Sequence, residues 1–319
     1  MDGYYSRRVI MFMVFAFAAI NRGYGQESTT LVPAIITFGD SVVDVGNNDY
    51  LPTIFKANYP PCSCLEVLLK LFLLAAETLG FTTYPPAYLS PEASGKNLLI
   101  GANFASAGSG YDDKASMVNH AITLTQQLEY FKEYQAKLAK VAGSTKSASI
   151  IKDALYVLSA GSSDFLQNYY VNPLLNHAYT PDQYGSFLID TFTNFVKNLY
   201  GLGARKIGVT SLPPLGCVPL ARTLFGYHEK GCISRFNTDA QQFNKKLNAA
   251  AANLQKQHPG LKIVVFNIFK ALYDIVNFPL TMVLLKQQKD VVEREHVHPS
   301  QTANLVLADA LIVQGIALI

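Results

Sequence analysis

The run IITFGDSVVDVGNN, Ile35–Asn48, changes character halfway. Ala34–Phe38 is a short apolar run of the kind that forms a buried strand. Gly39 breaks it, and Asp40-Ser41 follow. A serine straight after a buried strand, on a glycine-loosened turn, sits at the carboxyl edge of a sheet. Open α/β sheets build their sites there. A serine hydroxyl is a weak nucleophile alone and needs a base and oxyanion donors. Gly-Asp-Ser by itself reads better as a plain turn, since all three are turn formers. The rest of the chain has to decide.

Outward from this stretch, helix and strand patterns alternate. Asn97–Ala102 is a second apolar run, leading into the small-residue segment Asn103–Gly110. Ala154–Ala160, Lys206–Ser211 and Leu261–Phe266 read as further buried strands. Amphipathic helices are expected over His120–Val141 and Asn237–Gln257. Another is expected over Phe187–Tyr200, with Phe187, Leu188, Phe192, Phe195, Val196 and Leu199 on one face. Gly143–Ser149 reads as a loop. Leu65–Ala76 is apolar, with Glu66 and Lys70 at a helix-supporting i,i+4 spacing. Ser300–Leu311 reads as a helix opened by Pro299. Such alternation predicts a mostly parallel sheet of about five strands with helices on both faces, in one domain.

Composition narrows the class. The chain has 319 residues, half of them hydrophobic, and a formal charge of +3. The size suits one large α/β domain. Nearly balanced charge gives no nucleic-acid footprint, and no basic run suits an anionic membrane. Arg7-Arg8, the apolar Val9–Ile20 and the small residues around Gly25 read as a secretory signal peptide over residues 1–25. That leaves 26–319 as the mature domain. The apolar run is short for a membrane span, so no stable membrane insertion is expected. An exported chain permits disulfides. Cys217 and Cys232 flank a short loop and are expected to pair, whereas Cys62 and Cys64 are too close for an easy bridge to each other. No Cys or His pairs recur at zinc spacing, so no metal is expected.

The motifs share an order with a known family. Phe38-Gly39-Asp40-Ser41 with Asp44, Gly46 and Asn47 resembles the first block of the plant GDSL esterase/lipase family, within the SGNH hydrolases. Asn103–Gly110, Gly161-Ser162-Ser163-Asp164, Leu212-Pro213-Pro214-Leu215-Gly216-Cys217 and His298-Pro299 resemble its later blocks. The resemblance implies a flavodoxin-like three-layer α/β/α fold. It implies Ser41 as nucleophile and His298 as general base. The N–H groups of Ser41 and Gly108 would be oxyanion donors, with Gly110 as the fallback glycine. In the family an asparagine amide is the third donor; Ser163 stands there. An aspartate normally precedes the histidine by three; Glu295 stands there. Glutamate carries the same charge one methylene further out, and other hydrolases use it. His296 is the local rival of His298.

The resemblance further implies a secreted serine esterase/lipase of the cell wall or apoplast. It would act on small-molecule or lipid esters with no metal or organic cofactor. Oligomeric state is not legible. The family usually carries a polar, glycine-rich segment after Pro61 and a longer, cysteine-bearing segment before His298. Those shortenings, with Ser163 and Glu295, keep open a catalytically impaired binding protein or splice form. An acyltransferase using the same site is the other alternative. Asp40, Asp44 and Asp164 read as loop braces, and His120, His177, His228 and His258 as surface residues.

Overall fold

The computed structural model describes residues 30–56, 76–77, 79–227, 229–277 and 314–318. Five strands form one sheet: β1 (Ile35–Gly39), β2 (Gly101–Asn103), β3 (Leu155–Ser159), β4 (Lys206–Thr210) and β5 (Lys262–Phe266). Their order is β2-β1-β3-β4-β5, and every neighbouring pair is parallel. This is the flavodoxin-like order, in which chain reversal beside the first strand leaves a crevice at the strands' carboxyl ends.

The helices between the strands are α1 (Asp113–Val118), α2 (Leu124–Ala142), α3 (Ser144–Asp153), α4 (Pro173–Ala178), α5 (Pro181–Gly201), α6 (Pro219–Phe225) and α7 (Ser234–Gln257), and α8 (Ile268–Asn277) follows β5. Their starts are written in the sequence. Thr123 caps α2 by accepting from Gln126 N–H. Thr180 and Gln183 make a reciprocal capping box at α5, with Pro181 in its first turn.

Alternation along the strands sends side chains to two separate clusters. Ile36, Phe38, Tyr156, Leu158, Ile207 and Val209 pack with residues of α2, α5 and α7. Ile35 and Val157 face the other way, onto Val32, Ala76, Leu79 and Phe81. Phe38 closes β1 inside an aromatic box, with ring centroids 5.2–5.6 Å from Phe104, Phe131 and Phe195. Burying such a side chain contributes about 1.5–3 kcal/mol. It also fixes the strand end from which the turn to Ser41 departs.

Four expectations need correcting. Gly143–Ser149 is not a loop: Gly143, at φ 78°, turns the chain straight into α3, which buries Ser147, Ile150 and Ile151. The helix expected from His120 starts at Leu124, because His120 occupies a turn at φ 52°. Phe187 is 46% exposed. It lies one residue ahead of the buried Leu188–Leu199 stripe, and its ring rests on Tyr184 instead. The apolar Leu98-Leu99-Ile100 forms a 3₁₀ turn, and the strand is only Gly101–Asn103 behind it. Leu65–Ala75, His228, the 281–298 segment and the Ser300–Leu311 helix lie outside the described residues, as do residues 1–25.

Candidate active site

Gly39 makes the turn to Ser41 possible. Its φ is 133°, and a Cβ there would lie 1.8 Å from the Ser159 carbonyl oxygen. Only glycine lets β1 pass so close to β3 in that conformation. Asp40 N–H then donates to Ser159 O at 2.8 Å. The next residues form a tight turn, with Val43 and Asp44 N–H donating back to Asp40 O. Ser41 sits half-buried on this turn, beyond the carboxyl end of β1.

Side chains of the turn stitch it to the loop after β2. Asp44 accepts from Gly46 and Asn47 N–H through one oxygen and from Ala107 N–H at 3.0 Å through the other. Asn47 donates to Asn103 O and Ala105 O and accepts from Leu89 N–H. Asn48 donates to Ala107 O and Phe55 O and accepts from the Ser106 hydroxyl. Asn103 returns a bond to Val43 O at 2.6 Å.

Gly108 stands in this loop at φ 86°, between Phe55 and Asn119. The Asn119 amide donates to Gly108 O at 2.9 Å. Among the described residues, no acceptor meets the N–H of Gly108 or of Ser41. Gly110 differs: its N–H donates to Ser116 Oγ at 3.1 Å. Backbone donors at a site without internal partners suit an incoming anion. On this count Gly108 is favoured over Gly110.

The third loop follows β3. Gly161, at φ 115°, lies against Leu212 and Tyr111. Ser163 is 5% exposed and opens a π-turn, Asp164–Tyr169, without capping it through its side chain. Such turns are frequent at functional sites. Asp164 is fully buried and accepts Tyr111 and Asp112 N–H, both at 2.8 Å. The β3 loop is thereby tied to the β2 loop, as the β2 loop is to the Ser41 turn.

Burial pushes the Asp40 carboxyl up to about 7; the Val42 N–H opposes the rise and the Asp164 charge adds to it. Burial also raises Asp164 to about 7, against the N–H bonds from Asp112 and Tyr111. Asp44 rises to about 6 for the same first reason, opposed by its three N–H donors. All three acids brace loops through the backbone N–H groups they accept, as their sequence positions suggest.

The Leu212–Cys217 loop closes the far side. Asn244 of α7 holds Leu212 through both N–H and carbonyl, at 2.7 and 3.0 Å. Asn237 accepts from Gly216 N–H. Cys217 and Cys232 are joined by a disulfide. The groove of about 470 Å³ between α2 and α5, lined in part by Leu128, Lys132, Asn194 and Leu202, shares no residue with these loops.

Ser41, Gly108 and Ser163 are thus carried at the carboxyl ends of β1, β2 and β3. His298, Glu295 and His296 lie outside the described residues. His120 and His177 are exposed; His258 is half-buried, with Nδ1 2.9 Å from Leu254 O. No His, Cys, Asp or Glu cluster among the described residues has the makings of a metal site. No described helix is long and apolar enough to cross a membrane.

Residues 35–311 match the family model described as GDSL-like Lipase/Acylhydrolase. The chain belongs to that family. It is 57% identical to the GDSL esterase/lipase APG of Arabidopsis thaliana over 358 aligned positions, covering 100% of both chains. A second Arabidopsis thaliana GDSL esterase/lipase is 44% identical, covering 98% of this chain and 99% of that one. Because 358 positions exceed the 319 residues present, the first alignment holds positions where this GDSL protein has no residue. Among solved structures, an alpha/beta hydrolase from the metagenome of Lake Arreo, Spain, aligns over 92% of this chain and 100% of its own. Its identity is 11% and the TM-score 0.45, too remote a likeness to bear on chemistry. By family the protein is a hydrolase of the esterase and lipase class.

Reading the sequence missed Gln127. Its side chain is fully buried among these loops, and its partners, the backbone of Gly39 and Ile122 and the Ser109 hydroxyl, are announced by no local pattern.

Proposed function

We propose that this GDSL protein is a secreted serine esterase that hydrolyses carboxylic esters of small molecules or lipids through an acyl-enzyme. The mature domain would begin after residue 25. Ser41 Oγ attacks the ester carbonyl carbon while His298 takes the hydroxyl proton. Glu295, three residues earlier, orients His298. The N–H groups of Ser41 and Gly108, with the Ser163 hydroxyl, receive the developing oxyanion. His298 then passes its proton to the leaving alcohol. Water attacks the acyl-serine and gives a proton to His298, which returns it to Ser41 Oγ as the ester bond breaks and the acid departs. The reading rests above all on the two N–H groups, Ser41 and Gly108, that meet no acceptor among the described residues on loops tied together by Asp44. Each such donor is worth about 10²–10³ in kcat.

A second reading is an impaired, binding-only form, favoured by the positions of the APG alignment that this chain lacks. One experiment separates the two. The purified mature protein is treated with a fluorophosphonate, which bonds to a serine activated by a base and an oxyanion hole, and is weighed intact beside Ser41→Ala. One adduct per chain, absent from Ser41→Ala, is the expected result. A folded wild type that takes no adduct would rule out the esterase.

A further inference from the structure

Gln127 lies on α2 with its side chain turned inward and completely buried. The rest of that helix's inward stripe is Leu124, Leu128, Phe131, Tyr134 and Leu138. A lone amide in such a stripe is costly unless its hydrogen bonds are made. Oε1 accepts from Gly39 N–H at 2.8 Å. Nε2 lies 3.0 Å from Gly39 O, 3.2 Å from Ser109 Oγ and 3.1 Å from Ile122 O. An amide has two protons for those three acceptors, so one proton is shared.

The identity of the partners matters more than their number. Gly39 is two residues before Ser41, and Ser109 directly follows Gly108. One planar amide therefore grips both segments that carry the oxyanion N–H groups. Gly39 lacks a side chain and stands at a φ few residues adopt, so the peptide plane leading to Asp40 and Ser41 is held by hydrogen bonds alone: Asp40 N–H to Ser159 O, Ser106 N–H to Gly39 O, and the Gln127 amide on both polar groups of Gly39. Gly108 has the same freedom at φ 86°.

We infer that Gln127 is a positioning residue that sets the spacing of the Ser41 and Gly108 N–H groups. The inference rests on the esterase reading above. Gln127 touches no reacting atom; it acts through the Gly39 peptide and Ser109. An error of about 1 Å in such placement is enough to cost on the order of 10² in rate.

The test uses the full mature protein, a short-chain p-nitrophenyl ester and sites counted by fluorophosphonate uptake. Gln127→Leu is compared with Leu138→Ala, a core truncation on the same helix far from the loops. Gln127→Leu is expected to lose on the order of 10² in kcat per titrated site with KM little changed. Leu138→Ala should melt earlier yet turn over normally per site. Gln127→Glu adds a pH readout. As a carboxylate it has no proton for Gly39 O, Ser109 Oγ or Ile122 O; protonated, it regains one. Its kcat relative to wild type at the same pH should therefore rise as pH falls. Should Gln127→Leu not fold, this isosteric variant carries the test alone. Normal kcat per site in a folded Gln127→Leu, or a flat ratio in Gln127→Glu, overturns the positioning role and leaves the esterase intact. A wild type that takes no fluorophosphonate overturns both.

Discussion

Gly110 lies directly against the carboxylate of Asp164: a Cβ at Gly110 would stand 2.5 Å from both carboxylate oxygens. The φ of Gly110 is ordinary, so the constraint is space rather than backbone freedom. Gly110→Ala must displace Asp164 from the Tyr111 and Asp112 N–H groups it accepts. Expected is a loss of about 1–3 kcal/mol, the range for overpacking a tight site. Gly231→Ala is the control, since nothing lies within 4 Å of its added methyl; it should stay within about 0.5 kcal/mol of wild type. Urea unfolding of the two variants decides it, and equal midpoints would refute the contact.

The buried acids make stability depend on pH in an unusual direction. Asp40 and Asp164 are raised to about 7 and Asp44 to about 6, from 3.8. Between those limits the folded chain holds protons that the unfolded chain has released. Stability therefore falls as pH rises. The contribution is complete below about pH 4 and is lost as pH passes through 6 to 7. Melting temperature should drop from pH 5 to pH 8. Asp40→Asn, which keeps the shape and an acceptor for Val42 N–H, should show a smaller drop. A melting curve that rises over that interval, or an unchanged drop in the variant, would contradict this.

Legibility in the sequence followed how local each cause was. Strands β1, β3 and β4 announce themselves as apolar runs because they are buried between layers, and the edge strand β5 does so although only Phe266 of it is buried. The Ser41 turn announces itself through Gly39. Strand β2 is three residues long, and the apolar run before it is a 3₁₀ turn, so the pattern pointed slightly early. Helix α3 hid because its buried face is only Ser147, Ile150 and Ile151, too little for a visible period. Gln127 was invisible for a different reason: it binds the backbone of a residue 88 positions away. A backbone partner leaves no trace in residue type.

The Cys217–Cys232 bridge closes a loop of 15 residues next to the Leu212–Cys217 segment. A loop of that length is worth about 3 kcal/mol in unfolded-state entropy. Replacing both cysteines by serine should remove an amount of that order. It should also loosen Gly216, which is held between Asn237 and the Ile233 backbone. Melting with and without reductant, beside the double serine variant, measures it. Indistinguishable melting of all three samples would show the bridge to be energetically idle.

Ser163 is where family pattern and chain disagree most usefully. It is buried, helical in φ and ψ, and does not cap the turn it opens. Its hydroxyl is therefore not committed to the Asp164–Tyr169 turn, yet it is shorter than the asparagine amide usual at this position. The hydroxyl is a weaker donor of shorter reach, and Ser163→Asn supplies the longer one. kcat should then rise by on the order of 10², the worth of one oxyanion donor, with KM unchanged because the oxyanion exists only in the transition state. Ser163→Ala should cost far less than that. Should Ser163→Ala instead lose about 10² while Ser163→Asn gains nothing, the hydroxyl is already the working donor. If neither variant moves kcat, the third donor lies elsewhere and Ser163 has no part in the oxyanion hole.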